Sequence, residues 1–176
     1  ELVSYTNNLE RKVEERTAQL KDKNNELQKA LKDIEQLSLT DQLTQLNNRR
    51  FLNKMMPQEI ADLKRVLTNT NERSCDGIGL MIVDIDHFKQ INDNYGHDAG
   101  DRVLKEFAEI LIQECRESDW VVRWGGEEFV IVARKMWRDE IHRLADRIIS
   151  KVNTFKFEIA EGRFLNRSCS IGIACL

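Results

Sequence analysis

Glycine is absent from the first 76 residues of this 176-residue chain, and Pro57 is its single proline. All eight glycines lie between Gly77 and Gly172. Glycine supplies many tight turns and weakens helix interiors, so its absence predicts a long helical first half. The second half is correspondingly expected to be rich in turns and mixed in secondary structure.

Several classes of protein are excluded by other features that the sequence lacks. No apolar run approaches the roughly 18 residues of a membrane span, and no signal peptide opens the chain. The formal net charge of −3 gives no electrostatic signature for nucleic acid or for an anionic membrane, so neither is expected as a partner. With 41% hydrophobic residues and so small a net charge, a disordered chain is also excluded.

The cysteines form no C-x-x-C pair and have no histidine at a spacing typical of metal sites. We therefore expect reduced thiols in a cytoplasmic domain, at Cys75, Cys115, Cys169 and Cys175. The chain begins at Glu1 without a methionine and stops abruptly at Leu176, which suggests a segment of a longer protein. An upstream sensor domain and a membrane anchor in that parent protein are both compatible with the sequence.

Residues 1–37 combine a narrow apolar stripe with 15 charged side chains of both signs. When Val13 is placed at heptad position a, the a residues from Val13 onward are apolar: Val13, Leu20, Leu27 and Ile34. The d positions are mixed, with Leu2, Leu9, Arg16, Lys23, Ala30 and Leu37. This pattern predicts a parallel coiled coil that makes the protein a homodimer. The alternative is a single solvated helix.

The rest of the chain, 38–176, changes from a helical to an alternating pattern. Helical spacing runs from Phe51 to Leu67, with a kink or restart expected at Pro57, and 69–76 is predicted to be a loop. The patterns then predict a buried strand at 78–83, a helix, a hairpin, a second helix and further short strands. This β-α-β-β-α-β order predicts an α+β fold of the ferredoxin-like or palm type, an antiparallel sheet flanked by helices.

Two pairs of acidic residues lie where predicted strands end. Asp84 and Asp86 follow the buried strand, and Glu127 and Glu128 follow Gly125-Gly126 at the tip of the hairpin. If the hairpin and the first strand are neighbours, Asp84 and Glu127 converge and can hold Mg²⁺ together with substrate phosphates. An Asp at a strand end also commonly caps a turn, and ordinary exposed acids on a turn are the alternative for the glutamates.

Residues between these acidic pairs are suited to a nucleotide. Lys89, on the predicted loop that leaves the first strand, can neutralise phosphate charge, although most lysines are merely solvated. Asn92 and Asp101 can together recognise a guanine edge, and Gly96 and Gly100 are expected to bend the chain between them. Asp101 is equally natural near the start of a helix. The two glycines of the hairpin let a phosphate approach the backbone.

Taken together, these motifs resemble the GGDEF-domain diguanylate cyclases. The matching segments are 84–97 (DIDHFKQINDNYGH), Gly100-Asp101, 123–129 (RWGGEEF), the opening motif 41–51 (DQLTQLNNRRF) and a late strand at 170–174 (SIGIA). The signature is the Gly-Gly-Glu-Glu-Phe variant, which is typical of active members. The resemblance covers residues 38–176, which the coiled-coil signalling helix 1–37 precedes.

The resemblance implies an enzyme that condenses two GTP into cyclic di-GMP and releases two pyrophosphates. It implies that Mg²⁺ or Mn²⁺ is held by Asp84, the backbone carbonyl of Ile85 and Glu127. Nucleotide contacts are implied for residues along the motifs: Phe88, Lys89, Asn92, His97, Asp101, Gly125 and Gly126. Lys89 would stabilise charge on the transferring phosphoryl group, and Glu127 or Glu128 would help to deprotonate the attacking 3′-hydroxyl.

A second site is implied by Arg116-Glu117-Ser118-Asp119, which matches the R-x-x-D motif where family members bind their product as an inhibitor. Arginine pairs with phosphate or stacks on guanine, and Arg147 on the second predicted helix is a further candidate. The reaction requires two facing domains, which gives the coiled coil a purpose. The family's last helix and edge strand would lie beyond Leu176, so a molecule that ends there is expected to turn over GTP poorly.

Overall fold

The computed structural model describes residues 2–37, 39–69 and 77–176 and divides into two compact units, 1–38 and 39–176. The loop predicted at 69–76 lies, apart from Asn69, outside the described residues. In chain order the elements are α1 (Leu2–Leu37), β1 (Asn47–Asn48), α2 (Arg49–Asn69), β2 (Gly77–Ile85), α3 (Phe88–Tyr95), α4 (His97–Glu114), β3 (Trp120–Gly125), β4 (Glu128–Met136), α5 (Arg138–Thr154), β5 (Phe157–Ala160), β6 (Arg163–Leu165) and β7 (Cys169–Cys175).

The first unit contains one helix, α1, which is 36 residues long and confirms the predicted long helix. Three residues at predicted heptad position a are exposed within the single chain: Val13 by 62%, Leu20 by 68% and Leu27 by 61%. Other heptad side chains lie outside the described residues: Leu2, Leu9, Ile34 and Leu37. The coiled coil itself stays a prediction. In the part of the chain that the structure describes, no helix is both long enough and apolar enough to cross a membrane.

A five-stranded sheet in the order β1-β3-β4-β2-β7 forms the centre of the second unit. Within it β3 pairs antiparallel with β4, β4 with β2 and β2 with β7, and the elements follow the predicted β-α-β-β-α-β order. This strand order is that of the ferredoxin-like fold, so the predicted α+β class is confirmed. The two-residue strand β1 pairs parallel with β3, so the sheet is mixed rather than wholly antiparallel. The predicted strands around Glu161-Gly162 form a separate two-stranded sheet, β5-β6.

Apolar side chains of the sheet contribute to two separate core clusters. The larger cluster joins alternate residues of β2 and β4 to α4 and α5, and Phe107, Phe129 and Phe157 are fully buried in it. The smaller cluster joins Val130 and Val132 of β4 to α2. β4 is therefore buried on both faces over residues 129–133, which explains the uninterrupted apolar run there.

Three local features differ from the sequence prediction. Residues 88–95 form the helix α3, so Lys89 lies in a first helical turn rather than on a loop. Only Phe88 and Ile91 of α3 are buried, and two apolar residues are too few to establish a helical period. Gly100 lies within α4 and does not bend the chain. Finally, α2 continues through Pro57 without restarting, at the loss of one backbone hydrogen bond.

The cysteines in the described residues, Cys115, Cys169 and Cys175, are all free thiols, and Cys75 lies outside the described residues. Burial raises the pKa of the Cys115 thiol to about 12 and that of Cys169 to about 11. Because the thiolate is the reactive form, these two side chains are inert packing residues at neutral pH.

Candidate active site

Acidic side chains meet where β2 lies beside the β3–β4 hairpin. The antiparallel register pairs Asp84 with Glu128, and Glu127 precedes Glu128 in the turn. Burial raises the pKa of the Asp84 carboxyl, and the negative charges of Glu127, Glu128 and Asp86 raise it further. Carboxylates that repel one another in this way are suited to share a cation.

Asp86 differs from Asp84 although it is only two residues away. Its carboxylate accepts hydrogen bonds from the hydroxyls of Ser168 and Ser170, the latter at 2.7 Å. Its backbone N–H also donates to the carbonyl oxygen of Ser168 at 3.0 Å. The two hydroxyl groups hold the pKa of the Asp86 carboxyl below its usual value. Asp86 therefore connects the end of β2 to the start of β7, whereas Asp84 faces the other acids.

The donor atoms at the end of β2 fit a hard divalent cation in their chemistry. Asp84 and Glu127 carry carboxylate oxygens, and Ile85 adds a backbone carbonyl next in the chain. Among the residues described, no group of three or more His, Cys, Asp or Glu side chains is arranged to hold a metal ion. A set of two carboxylates and one carbonyl leaves coordination positions for other oxygen ligands, such as phosphates, which suits Mg²⁺.

A cavity of about 410 Å³ includes Glu127 and most of the predicted nucleotide residues. Its lining consists of Phe88, Lys89, Asn92, His97, Asp101, Leu104, Arg123, Gly126 and Glu127. This volume is in the usual range for small-molecule sites. The lining does not include the other predicted site residues, which are Asp84, Ile85, Gly125 and Glu128. The structure thus brings seven of the predicted residues together around one space, from α3, α4 and the hairpin turn.

Close packing between α3 and α4 determines where Asn92 lies. A Cβ atom added at Gly100 would overlap Asn92 Oδ1 and lie 3.1 Å from Phe88 Cζ. A side chain at this position would therefore displace Asn92, so glycine is favoured here by close approach rather than by a turn. Gly96, between the two helices, has a positive φ of 82°, which most other residues adopt only with strain.

Arg123 holds the turn of the hairpin in place. Its guanidinium donates from Nε and Nη2 to the carbonyl oxygen of Gly126, at 3.0 and 2.9 Å, and from Nη1 to Asp41 Oδ1 at 3.0 Å. Asp41 Oδ1 also accepts from the backbone N–H and the hydroxyl of Thr44, at 2.9 and 2.7 Å. Burial alone would raise the pKa of Asp41, but the hydrogen bonds from Thr44 and Arg123 outweigh it and lower the pKa.

Leu104 and Arg123 are the two cavity residues that were not among the predicted site residues. Leu104 lies three residues after Asp101 and one helical turn further along α4, so helical spacing could have identified it. Arg123 lies three residues before Gly126, within the hairpin motif itself. Its partner Asp41 is 82 residues away in the chain, which no spacing rule could have indicated.

The residues predicted for the inhibitory site also come together, in a second cavity of about 180 Å³. Arg116, Asp119 and Arg147 line it together with Glu114, Met136, Glu140, Arg143 and Leu144. Asp119 is only 8% exposed, and its carboxylate accepts the backbone N–H groups of Arg116 at 2.9 Å and Arg134 at 3.2 Å. Asp119 therefore shapes the loop before β3 whether or not a ligand is bound.

Both arginines predicted for this second cavity are paired with glutamates. Arg116 Nη2 lies 3.1 Å from Glu140 Oε1, and Arg147 Nε lies 3.1 Å from Glu114 Oε2. Arg147 also donates to the backbone carbonyl of Glu114. Neither glutamate was predictable from the sequence, because their partners lie 24 and 33 residues away in the chain.

Comparison with known proteins agrees with the fold and the motifs. The family model "Diguanylate cyclase, GGDEF domain" matches residues 38–176. Diguanylate cyclase DosC of Escherichia coli (strain K12) is 40% identical over 134 residues, which are 76% of this chain and 27% of DosC. The solved GGDEF domain of TpbB (YfiN) from Pseudomonas aeruginosa has a TM-score of 0.69 at 32% identity and covers 77% of this chain and 74% of its own. The GGDEF domain of DgcB from Caulobacter crescentus, solved in complex with c-di-GMP, has a TM-score of 0.71 at 25% identity, with 79% and 78% covered.

A ferredoxin-like sheet flanked by helices, with an acidic hairpin beside a cavity of small-molecule size, defines the class of this domain as an α+β domain of the palm type. The chain belongs to the diguanylate cyclase GGDEF-domain family, which confirms the resemblance seen in the motifs. It spans about a quarter of the length of the curated relatives it matches.

Proposed function

We propose that this chain is the catalytic part of a diguanylate cyclase, which condenses two GTP into cyclic di-GMP and releases two pyrophosphates. The observation that carries the proposal is the 410 Å³ cavity, whose lining combines groups suited to guanine and to phosphates with one of the predicted metal ligands, Glu127. Family membership supports the same activity, since the relative DosC is named a diguanylate cyclase. The reaction draws on cytoplasmic GTP, so we assign the domain to the cytoplasm.

Guanine is recognised by Asn92 and Asp101 in this proposal. The Asp101 carboxylate accepts hydrogen bonds from the N1–H and the 2-amino group, and the Asn92 amide pairs with a second edge of the base. Adenine has no 2-amino group and presents an acceptor at N1, so a carboxylate placed there excludes it. Leu104 provides an apolar contact for the ring. His97, in the first turn of α4, provides a further contact with the guanosine.

The phosphates lie against α3 and the hairpin turn. Phe88 and Lys89 are the first two residues of α3, where backbone N–H groups and the positive end of the helix dipole favour an anion. Lys89 adds a full positive charge and stabilises the transferring phosphoryl group. Gly125 and Gly126 carry no side chain, and the space beside each Cα is open, so a phosphate can approach the turn closely.

Asp84, the carbonyl of Ile85 and Glu127 are the residues that would hold Mg²⁺ or Mn²⁺. When bound, the cation supplies positive charge that offsets the phosphates. Glu127 or Glu128 accepts the proton of the 3′-hydroxyl, O3′ forms a bond to the α-phosphorus of the second GTP, and pyrophosphate leaves. The 3′-hydroxyl of the second nucleotide then loses its proton and forms a bond to the α-phosphorus of the first, which releases the second pyrophosphate and closes the ring. Glu127 lines the cavity, and Glu128 lies opposite Asp84 in the register of β2 and β4. Either glutamate can therefore serve as the base.

Each domain presents one GTP, so the reaction needs two chains. The exposed apolar stripe of α1, at Val13, Leu20 and Leu27, would dimerise the protein as a coiled coil and raise the effective concentration of one domain near the other. A sensor domain preceding α1 in the parent protein would act through that helix. The 180 Å³ cavity would bind cyclic di-GMP through Arg116, Asp119 and Arg147 and inhibit turnover.

Incubation of the protein with GTP and Mg²⁺, followed by nucleotide chromatography, tests the proposed activity. We expect cyclic di-GMP and two pyrophosphates per product molecule, and no product from Glu127→Gln. Glu161→Gln, an exposed glutamate in the β5–β6 turn, makes the same charge change away from the cavity and should leave turnover unchanged. Absence of cyclic di-GMP from a sample that light scattering shows to be dimeric would contradict the proposal.

A further inference from the structure

The 180 Å³ cavity contains as many carboxylates as arginines. Its lining includes three of each, so their formal charges cancel: Glu114, Asp119 and Glu140 against Arg116, Arg143 and Arg147. A site that only had to bind a dianionic dinucleotide would gain from an excess of positive charge. Asp119 is accounted for by its hydrogen bonds to the backbone, which leaves the two glutamates to be explained.

Both glutamates form ion pairs with the arginines that a phosphate would bind. Glu140 pairs with Arg116 through Oε1, while its Oε2 accepts the backbone N–H of Trp137 at 3.0 Å and so stays fixed in the first turn of α5. Glu114, at the end of α4, pairs with Arg147 through Oε2. The side chains of Arg116 and Arg147 are 56% and 57% exposed, so an incoming ligand can reach them beside their partners.

We propose that Glu114 and Glu140 compete with the dinucleotide for these arginines and thereby set the product concentration at which the site fills. This inference rests on the proposed function, in which Arg116 and Arg147 bind cyclic di-GMP. The phosphates must displace the glutamates or share the arginines with them, so each glutamate weakens product binding. Removing a glutamate charge should therefore raise the affinity for cyclic di-GMP, whereas removing an arginine should lower it.

Titration calorimetry of cyclic di-GMP into the whole chain tests this competition. Glu140→Gln keeps an amide oxygen for the N–H of Trp137 and removes only the charge. Glu114→Gln likewise removes the charge of the glutamate at the end of α4. Because exposed ion pairs are weak, we expect each variant to bind about fivefold more tightly than the wild type. Glu109→Gln, also on α4 but outside the cavity lining, is the control for net charge and should change affinity less than about twofold.

The outcomes separate this inference from the assignment of the site. If Arg116→Ala loses binding while both glutamine variants bind as the wild type does, or more weakly, the competition is refuted and the product site is retained. If Glu109→Gln tightens binding equally, net charge rather than pairing is responsible and the competition is again refuted. If the wild type binds no cyclic di-GMP, the product site and this inference both fail, whereas turnover of GTP, assayed separately, still decides the cyclase proposal.

Discussion

Arg123 is the best single position at which to test whether the cavity depends on the hairpin turn. Replacing Arg123 with methionine keeps most of the aliphatic stem and removes its three hydrogen bonds, two to the carbonyl of Gly126 and one to Asp41. The side chain of Arg123 is 14% exposed and that of Asp41 is 24% exposed, so water replaces these contacts poorly. Gly126 has a φ of 54°, which glycine adopts without strain, so the Arg123 hydrogen bonds rather than backbone strain are what this substitution removes.

We expect Arg123→Met to lower the free energy of unfolding by about 2 kcal/mol, which is about 4–8 °C in melting temperature. Removing one partner of a fully buried ion pair costs about 3–5 kcal/mol, and the partial exposure of this pair reduces that cost. Asp41 also keeps its two hydrogen bonds from Thr44, so its charge is not left without partners. Thermal denaturation with and without GTP measures the change.

The effect of Arg123→Met on catalysis should be larger than its effect on folding. A displacement of reacting groups by about 1 Å can cost 100-fold in rate, and Gly126 and Glu127 both line the cavity. We expect kcat/KM to fall about 100-fold when initial rates are measured well below the melting temperature. Arg123→Lys can restore the ion pair but not the paired contact to Gly126, so it should recover stability more than rate.

Arg134→Met is the matched control. Arg134 lies on the neighbouring strand β4, pairs with Glu59 at 2.8 Å, and is absent from the lining of the 410 Å³ cavity. It should lose a similar amount of stability and keep its rate of GTP turnover. If Arg123→Met is destabilised but turns over GTP within about threefold of the wild type, the turn does not need this support and the reasoning is refuted.

Two further predictions concern the opposite pKa shifts of Asp84 and Asp86 and the close packing of Gly100 against Asn92. Asp84 has a raised folded-state pKa, so its contribution to stability is greatest below its ordinary value of 3.8 and is lost as the pH rises through the raised value. Asp84→Asn should therefore melt about 1–3 °C higher than the wild type at pH 7 without divalent cations, while losing turnover. For Asp86 the pKa is lowered, and its stabilisation is present above 3.8 and is lost as the pH falls through the lowered value. Asp86→Asn should accordingly melt lower at pH 7 and approach the wild type in strong acid. Thermal melts across pH test both, and shifts of the same sign at pH 7 would contradict the two environments. Gly100→Ala should displace Asn92 and raise KM for GTP about tenfold with little change in kcat, measured by steady-state kinetics. Helix propensity alone would make this variant more stable, so a stabilised enzyme with an unchanged KM is the contrary result.

The fold was predictable wherever side chains repeat over several turns or strands. The long apolar runs of β2 and β4 and the amphipathic helices α4 and α5 have enough residues to reveal their period. Strand β1 has two residues and α3 has eight, of which two are buried. Elements this short are stabilised by their neighbours rather than by their own pattern, so the sequence could not indicate them.

The site was predictable to the extent that it lies within contiguous motifs. The site residues of α3 and α4 are close to one another in sequence, and so are those of the acidic hairpin. The register of β2 against β4 brings the two motifs together. The contacts that hold the site in shape are different, because they join distant parts of the chain. Arg123 with Asp41, and Arg147 with Glu114, depend on tertiary packing that no local pattern encodes.

The pairing of Asp84 with Glu128 has a consequence for which changes in chain length the domain can survive. The two residues oppose each other because β2 and β4 keep one register from Gly79, opposite Ala133, to Asp84. A single residue inserted within either strand would turn every following side chain to the opposite face, separating the acids and exposing the core. The β5–β6 hairpin belongs to a separate sheet, and its turn at Glu161-Gly162 carries no such restriction. Insertions and fusions are therefore tolerable at that turn, whereas the lengths of the two central strands are as essential as any of the acidic residues.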